Sequence, residues 1–402
     1  MSADIKKKIA IFGGGPAALA LASFLDPDFF KVTIYEQNKT CGRKFLVAGK
    51  GGFNLTHAEP MGKFLKRYIP ASFLENALNN FTNSDLRNWL SNLGIETYVG
   101  SSNRVFPVKG IKPIQVLDAI LEHVKSRGVD IKYQMKWDGW FSEGYPIVNG
   151  DIEVKADYYV YAFGGASWQV TGSTGAWTSH FKARGIVVND FEPSNCAFEV
   201  DWLEQFLENV EGKPLKNIAV SCDDKTQKGE LVVTRFGLEG NAIYALSDKI
   251  RKQLLASKHA EITIDLKPMF SIDDIKLKVN NSKTKNSTDF LRKDLKLSKV
   301  QVQLIKHLTS REDFVEKEKL VELIKCLPIH IVGMAPIDEA ISTVGGIQID
   351  ELTDTFELKI LHDSFCIGEM VDWDAPTGGY LLQGCFSMGV FLADRVNRVL
   401  LD

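Results

Sequence analysis

The sequence predicts an α/β protein organised on an open parallel sheet, and three stretches predict it. The first is Lys8–Glu36. It holds a β-branched run to Phe12, the turn Gly13-Gly-Gly15-Pro16-Ala17-Ala18, an Ala/Leu-rich run to Leu25, and a second β-branched run, Val32-Thr-Ile-Tyr-Glu36. The second is Ala156–Gly165, an apolar strand ending in Gly164-Gly165. The third is the tail, where Phe365-Cys-Ile-Gly368-Glu369 and Thr377-Gly-Gly379-Tyr380 lead into a helical run from Leu381 to Leu400.

The first stretch has the order strand, glycine turn, helix, strand, which is the setting of a dinucleotide fingerprint. Gly13 permits the tight turn, and Gly15 lets backbone approach a pyrophosphate. Ala18 is small enough for the helix to lie close to its strand. Free N–H groups around Pro16 and Ala17 then face the phosphates, with the positive end of the helix dipole behind them. Glu36 follows the glycines by about 20 residues, where a carboxylate can accept from a ribose diol. Lys6–Lys8 ahead of an apolar run resembles a secretory leader. Three glycines and Pro16 interrupt that run, and no small-residue cleavage pattern follows.

Thr40–His57 is too glycine-rich for a helix and too basic for a core strand, so it reads as a loop wrapped over a bound cofactor. Arg43 and Lys44 would neutralise phosphate charge, and Gly49, Gly51 and Gly52 would let backbone pass a flat ring. Residues 61–95 and 111–128 have helical periodicity. Between them, Ser101–Pro107 is turn-rich and reaches toward the pocket. Gly128–Tyr133 opens a strand, and Trp137–Lys155 reads as a β-meander. Strand Ala156–Gly165 continues into Thr171-Gly-Ser-Thr-Gly175, and paired glycines at a strand's C-terminal edge belong at the ligand crevice of a parallel sheet.

Composition changes near Asp190. Residues 1–190 and 340–402 form one discontinuous domain, 191–267 an inserted β-rich domain, and 268–339 a helical domain with its return segment. The last has N-caps predicted at Ser271, Ser298 and Ser310. Between Pro268 and Leu327 there are 13 Lys/Arg against 9 Asp/Glu, interspersed as on a solvated helix face.

A chain of 402 residues with 45% hydrophobic content can bury more than one core. A formal net charge of −3 gives no drive toward nucleic acid or anionic membrane. No apolar run reaches the ~18 residues of a membrane span, and the compartment read from this is the cytoplasm. The six cysteines include no C-x-x-C pair and read as reduced core thiols. Seven histidines without metal-ligand spacing predict no metal.

One fingerprint, a Gly-Gly strand end, and a Gly-Glu strand feeding a Gly-Gly helix start together point to FAD. With no second GxGxxG, a dedicated NAD(P)H domain is not expected, and NAD(P)H stands as a candidate transient donor. The chain resembles the YhiN/BaiN-like flavoproteins, known also as aminoacetone-oxidase-like. The resemblance rests on Gly13–Ala18, Gly42-Arg-Lys-Phe-Leu-Val-Ala-Gly49, Asn54-Leu-Thr56, Arg104-Val-Phe-Pro107, Thr171–Gly175, Thr343-Val-Gly-Gly346 and Thr377–Tyr380. It departs from the usual pattern at Gly51-Gly52-Phe53-Asn54, where Gly-Arg-Cys-Asn is common, and at Leu381 in place of asparagine, as in a divergent branch.

The resemblance implies a glutathione-reductase-like FAD domain interrupted by a β-barrel-like domain and a small helical domain. It implies Glu36 at the adenosine ribose, Arg43 and Lys44 beside the pyrophosphate, Glu369 at the ribityl chain, and Gly379, Tyr380 and Leu381 at the flavin pyrimidine. The expected activity is that of an FAD-dependent oxidoreductase on a small-molecule substrate, with hydride passing to or from flavin N5. Alternatives are a flavin-dependent RNA-modifying enzyme and a non-catalytic flavin-binding regulator. Lys50, Arg104 and Arg235 are candidates for the substrate pocket. No residue is singled out as a general base, and the oligomeric state is left open.

Overall fold

The N-terminal run forms β1 (Lys7–Phe12), α1 (Pro16–Phe24) and β2 (Phe30–Glu36). In the computed structural model, residues 6–47 and 53–399 are described. The expectations for Gly49, Lys50, Gly51 and Gly52 fall outside them. The chain divides into two compact units, Met1–Glu192 with Ile341–Asp402, and Pro193–Ala340.

In the first unit, α2 (Arg43–Val47) precedes β3 (Thr56–His57), β4 (Thr97–Val99) and β5 (Arg104–Pro107). Then come β6 (Asp130–Tyr133), the meander β7 (Trp137–Trp140), β8 (Pro146–Val148), β9 (Ile152–Glu153), and β10 (Tyr158–Tyr161). The main sheet has the order Ser364–Cys366, β10, β1, β2, β6, with every neighbour parallel. The tail therefore supplies an edge strand to a sheet begun by the N-terminus. Ile9, Ile11, Val32 and Ile34 are buried, the near-continuous apolar content of a parallel sheet covered on both faces.

The terminal helix, Tyr380–Val399, crosses α1 closely. A Cβ added at Gly389 would lie 2.3 Å from Ala17 O, so only glycine allows that approach. β3, β5 and β4 form a separate three-stranded antiparallel ribbon.

Two local expectations are corrected. Arg43–Val47 is a helical turn, not loop: Gly42 takes φ +66, its carbonyl accepts from Leu46 N, and Phe45 packs edge-on against Phe53 at 4.9 Å. Burial of the phenylalanines outweighs the glycines that flank them. Arg104–Pro107, read as part of a turn, is strand β5, because Val105 is fully buried and pairs with both Thr56 and Val99.

The second unit holds a seven-stranded sheet built on the hairpin Pro214–Cys222 and Lys225–Val233. Helices Ile272–Asn281, Lys299–Leu308 and Lys317–Lys325 complete it. The stretches 191–267 and 268–339, read from sequence as separate parts, contribute to one apolar cluster here, from Leu215 and Ile264 to Leu304 and Ile324. The three serine caps form as expected: Ser271, Ser298 and Ser310 accept from the amides of Asp274, Gln301 and Asp313.

Candidate functional site

A crevice opens at the C-terminal edge of the parallel sheet in the first unit. Gly13, Gly15, Pro16, Ala17, Glu36, Arg43, Lys44, Gly164, Gly368 and Glu369 line it. Ala18 lies one residue behind, fully buried against the sheet.

The three glycines have different tasks. A Cβ at Gly13 would lie 2.4 Å from Ala162 O, and one at Gly14 the same distance from Cys41 Sγ. At Gly15 an added Cβ meets no atom within 4 Å. The first two close the turn onto the protein, and the third presents bare backbone to the crevice. Gly15 is also the N-cap of α1, with no side-chain capping bond and Pro16 at the first helical position. The amino end of that helix keeps donors for a ligand.

Glu36, at the end of β2, is buried, and its carboxylate accepts from Gly14 N at 2.8 Å and from Asn38 N and Nδ2 at 2.7 and 2.8 Å. These bonds fix the carboxylate at the crevice wall and leave lone pairs over, since an ionised carboxylate has about four. Arg43 reaches Asn38 Oδ1 at 2.7 Å and Val170 O at 2.9 Å. Lys44 holds Glu369 at 2.9 Å and Ser167 Oγ at 2.7 Å. Glu369 also accepts from Thr343 N at 3.0 Å. Gly165 is packed under this group, for a Cβ there would lie 2.0 Å from Thr343 Oγ1 and 3.1 Å from Glu369 Cδ.

Sequence reasoning missed several walls of the crevice: Gln37, Asn38, Trp137, Phe163, Trp177, His180 and Cys385. Trp137 stacks near Phe163 at 4.8 Å and meets His180 at 5.1 Å. The meander pattern around Trp137 was visible in the sequence, but nothing there aimed it at the crevice. Ser173 and Thr174 also line it, and their signal was the Thr171–Gly175 motif. Burial, and then the Glu369 carboxylate, push the Cys385 thiol up to about 12, so it lines the crevice as a neutral group.

The start of the terminal helix is built differently. Gly378 and Gly379 take φ +118 and +95, and a Cβ on Gly379 would lie 2.5 Å from Thr56 Cα. Tyr380 is buried and turns its phenol onto Glu59, donating to Oε1 at 2.5 Å. Arg67 grips both oxygens of the same carboxylate at 2.9 and 3.0 Å, and Tyr68 OH donates to Tyr380 O at 2.7 Å. Leu381 packs on the core. Asn54 precedes Leu55, whose amide bonds Val105 O at 2.8 Å, and Thr377 sits at the head of the glycine turn. Arg104 Nε would lie 3.5 Å from a Cβ on Gly378. Arg235 belongs to the second unit, exposed and paired with Glu204 and Glu211.

Comparison with known proteins follows the same outline. A 3-dehydro-bile acid delta(4,6)-reductase of Clostridium scindens is 23% identical over 96% of this chain and 98% of its own length. A ribosomal RNA dihydrouridine synthase of Haemophilus influenzae is 22% identical over 96% and 98%. Among solved structures, a 3-ketosteroid-delta4-(5alpha)-dehydrogenase from Rhodococcus jostii RHA1 aligns over 97% of both chains at 12% identity, with a TM-score of 0.48. Residues 7–395 match the family described as HI0933-like protein Rossmann domain, and the chain belongs to that HI0933-like family.

Proposed function

We propose that the protein is an FAD-dependent oxidoreductase that reduces an activated carbon–carbon double bond in a small molecule, in the cytoplasm, with NAD(P)H as the transient electron donor. The observation that carries this reading is the open space at Gly15. It faces a crevice whose walls include Glu36, Glu369 and Cys385.

The residues fit an elongated dinucleotide. Gly13, Gly15, Pro16, Ala17 and Ala18 form the turn and helix start that would take a pyrophosphate. Glu36 and Asn38 would take the ribose diol, with Trp137 and His180 beside the base. Arg43 and Lys44 supply positive charge at the rim. Gly164, Gly165, Gly368 and Glu369 would border the ribityl side, and Asn54, Thr377, Gly379, Tyr380 and Leu381 the ring. When bound, FAD supplies two-electron hydride chemistry. The chain's own part is to hold Glu369 in place through Lys44, to brace the helix start through Glu59 and Tyr380, and to keep water from the apolar crevice wall.

The substrate class draws on the relatives' names. A delta(4,6)-reductase and a dihydrouridine synthase both add hydrogen across a carbon–carbon double bond. No described helix is long and apolar enough to cross a membrane. A second reading, an RNA nucleobase as substrate, has the name of the Haemophilus relative behind it, while the net charge of −3 weighs against it.

Anaerobic addition of NADH and NADPH, separately, to the purified protein tests the reading. Bleaching of the yellow flavin absorbance by one of them is expected. Protein that purifies without flavin, and takes up none when FAD is added, overturns it. RNA that co-purifies and is shed as salt rises favours the second reading.

A further inference from the structure

Around the start of the terminal helix the first unit gathers His57, Glu59, Arg67, Arg104 and Tyr380. Four of these are tied to one another or to nearby backbone. Glu59 takes both hydrogen bonds of Arg67 and that of Tyr380. The His57 ring stacks on Tyr380 at 5.0 Å, its Nδ1 accepts from Glu59 N at 3.2 Å, and its Nε2 meets Ser102 O at 3.1 Å. With Nδ1 an acceptor, the ring is neutral.

Arg104 is the exception. It is half-buried, opposite His57 in the β3–β5 ladder and so on the same face of that ribbon. Its guanidinium lies beside Gly378, yet it makes no hydrogen bond or ion pair with any described residue. The neighbouring carboxylate, Glu59, is held by Arg67 and Tyr380 instead. A half-buried guanidinium with five donors and no acceptor among the described residues is open to an acceptor that arrives with a ligand.

Its position says which ligand. Cys385 lines the crevice, and the same helix begins at Tyr380, about 7.5 Å away along its axis, with the Gly378 turn just ahead of it. That turn leads directly into Gly379, Tyr380 and Leu381, which the proposed function sets beside the cofactor's ring.

We infer that Arg104 is the specificity-determining residue that receives the carbonyl oxygen of the substrate, conjugated to the double bond being reduced. The inference rests on the proposed FAD-dependent reduction. As a hydride from the reduced cofactor forms a bond to the β-carbon, the π pair of the double bond shifts toward the carbonyl and its oxygen becomes an enolate. The α-carbon then takes a proton from water, and the cofactor is left oxidised. Arg104 would stabilise the charge on that oxygen with donors fixed in one plane. Arginine keeps its proton, so it directs the substrate and is not the acid.

A para-substituted phenolate is the probe, because it carries an oxyanion on a flat ring and gives a long-wavelength charge-transfer band when it stacks on oxidised flavin. FAD-loaded wild type should show the band. Arg104→Met should weaken phenolate binding about 10- to 100-fold, Arg104→Lys should restore part of it, and the uncharged methyl ether should bind both alike. If Arg104→Met does not fold, Arg104→Gln is read the same way. Full phenolate affinity in FAD-loaded Arg104→Met, loss of FAD from a folded variant, or no band in FAD-loaded wild type each overturn the assignment alone. Wild type that takes up no FAD overturns the parent reading and this one with it.

Discussion

Two helices in the first unit begin with glycines, and the two beginnings are built in opposite ways. At α1, the space beside Gly15 is empty and no side chain caps the helix. At the terminal helix, Gly379 is pressed onto the Thr56 backbone, and Tyr380 is tied to Glu59 and Arg67. The same local signature, glycine before an apolar helix, thus serves an open cradle in one place and a braced wall in the other. A glycine turn tells where backbone comes close, and only the neighbours tell whether it comes close to a ligand or to the protein.

The contrast breaks most sharply at Gly15. Gly15→Val should give a folded but colourless protein, because its Cβ meets no protein atom within 4 Å and its branches enter the proposed pyrophosphate space. Far-ultraviolet circular dichroism should match wild type while the flavin content falls to near zero. A full complement of FAD would mean that the cradle lies elsewhere.

Gly379→Ala should act the other way, on the fold. The new methyl would strike backbone, at a φ that L-residues adopt only with strain of about 1–2 kcal/mol. Thermal melts should show a loss of about 3 kcal/mol in all. Unchanged stability would show that the turn has room to shift and is no wall.

Glu59→Gln sharpens the comparison with a smaller effect, a loss of about 1–3 kcal/mol near neutrality. Burial raises the Glu59 carboxyl, but the hydrogen bonds from Arg67 and Tyr380 outweigh it and hold it below the ordinary value. The folded state therefore binds its proton more weakly than the unfolded chain, where the value is about 4.3. The stabilisation is complete above that pH and is lost as pH falls through the folded value. Urea melts of wild type and variant should differ at pH 7 and converge in acid. A gap that stays constant down to pH 3 would remove Glu59 from the brace.

Much of this was legible from residue order. The Lys8–Glu36 pattern specified strand, turn, helix and strand, because each feature there is local. The serine caps were legible for the same reason. What escaped was non-local. Lys44 and Glu369 are 325 positions apart, and Tyr380 and Glu59 are 321, so no spacing rule connects them. Arg43–Val47 escaped because the burial of Phe45 against Phe53, a tertiary contact, overrode the flanking glycines. Asn38 escaped because its neighbour Glu36 carried the familiar motif, although the two side chains act as one unit.

The edge strand Ser364–Cys366 comes from the far end of the chain and pairs with β10 in a sheet started by β1. A ribosome making this protein has therefore translated the fingerprint long before it makes the strand and helix that flank it. Until that strand and helix emerge, β10 lacks its outer partner, and the apolar face of α1 lacks the helix it packs on. Assembly of the crevice thereby waits on a segment made long after the fingerprint, and a chain truncated after Ala340 would display the motif without the means to close around anything.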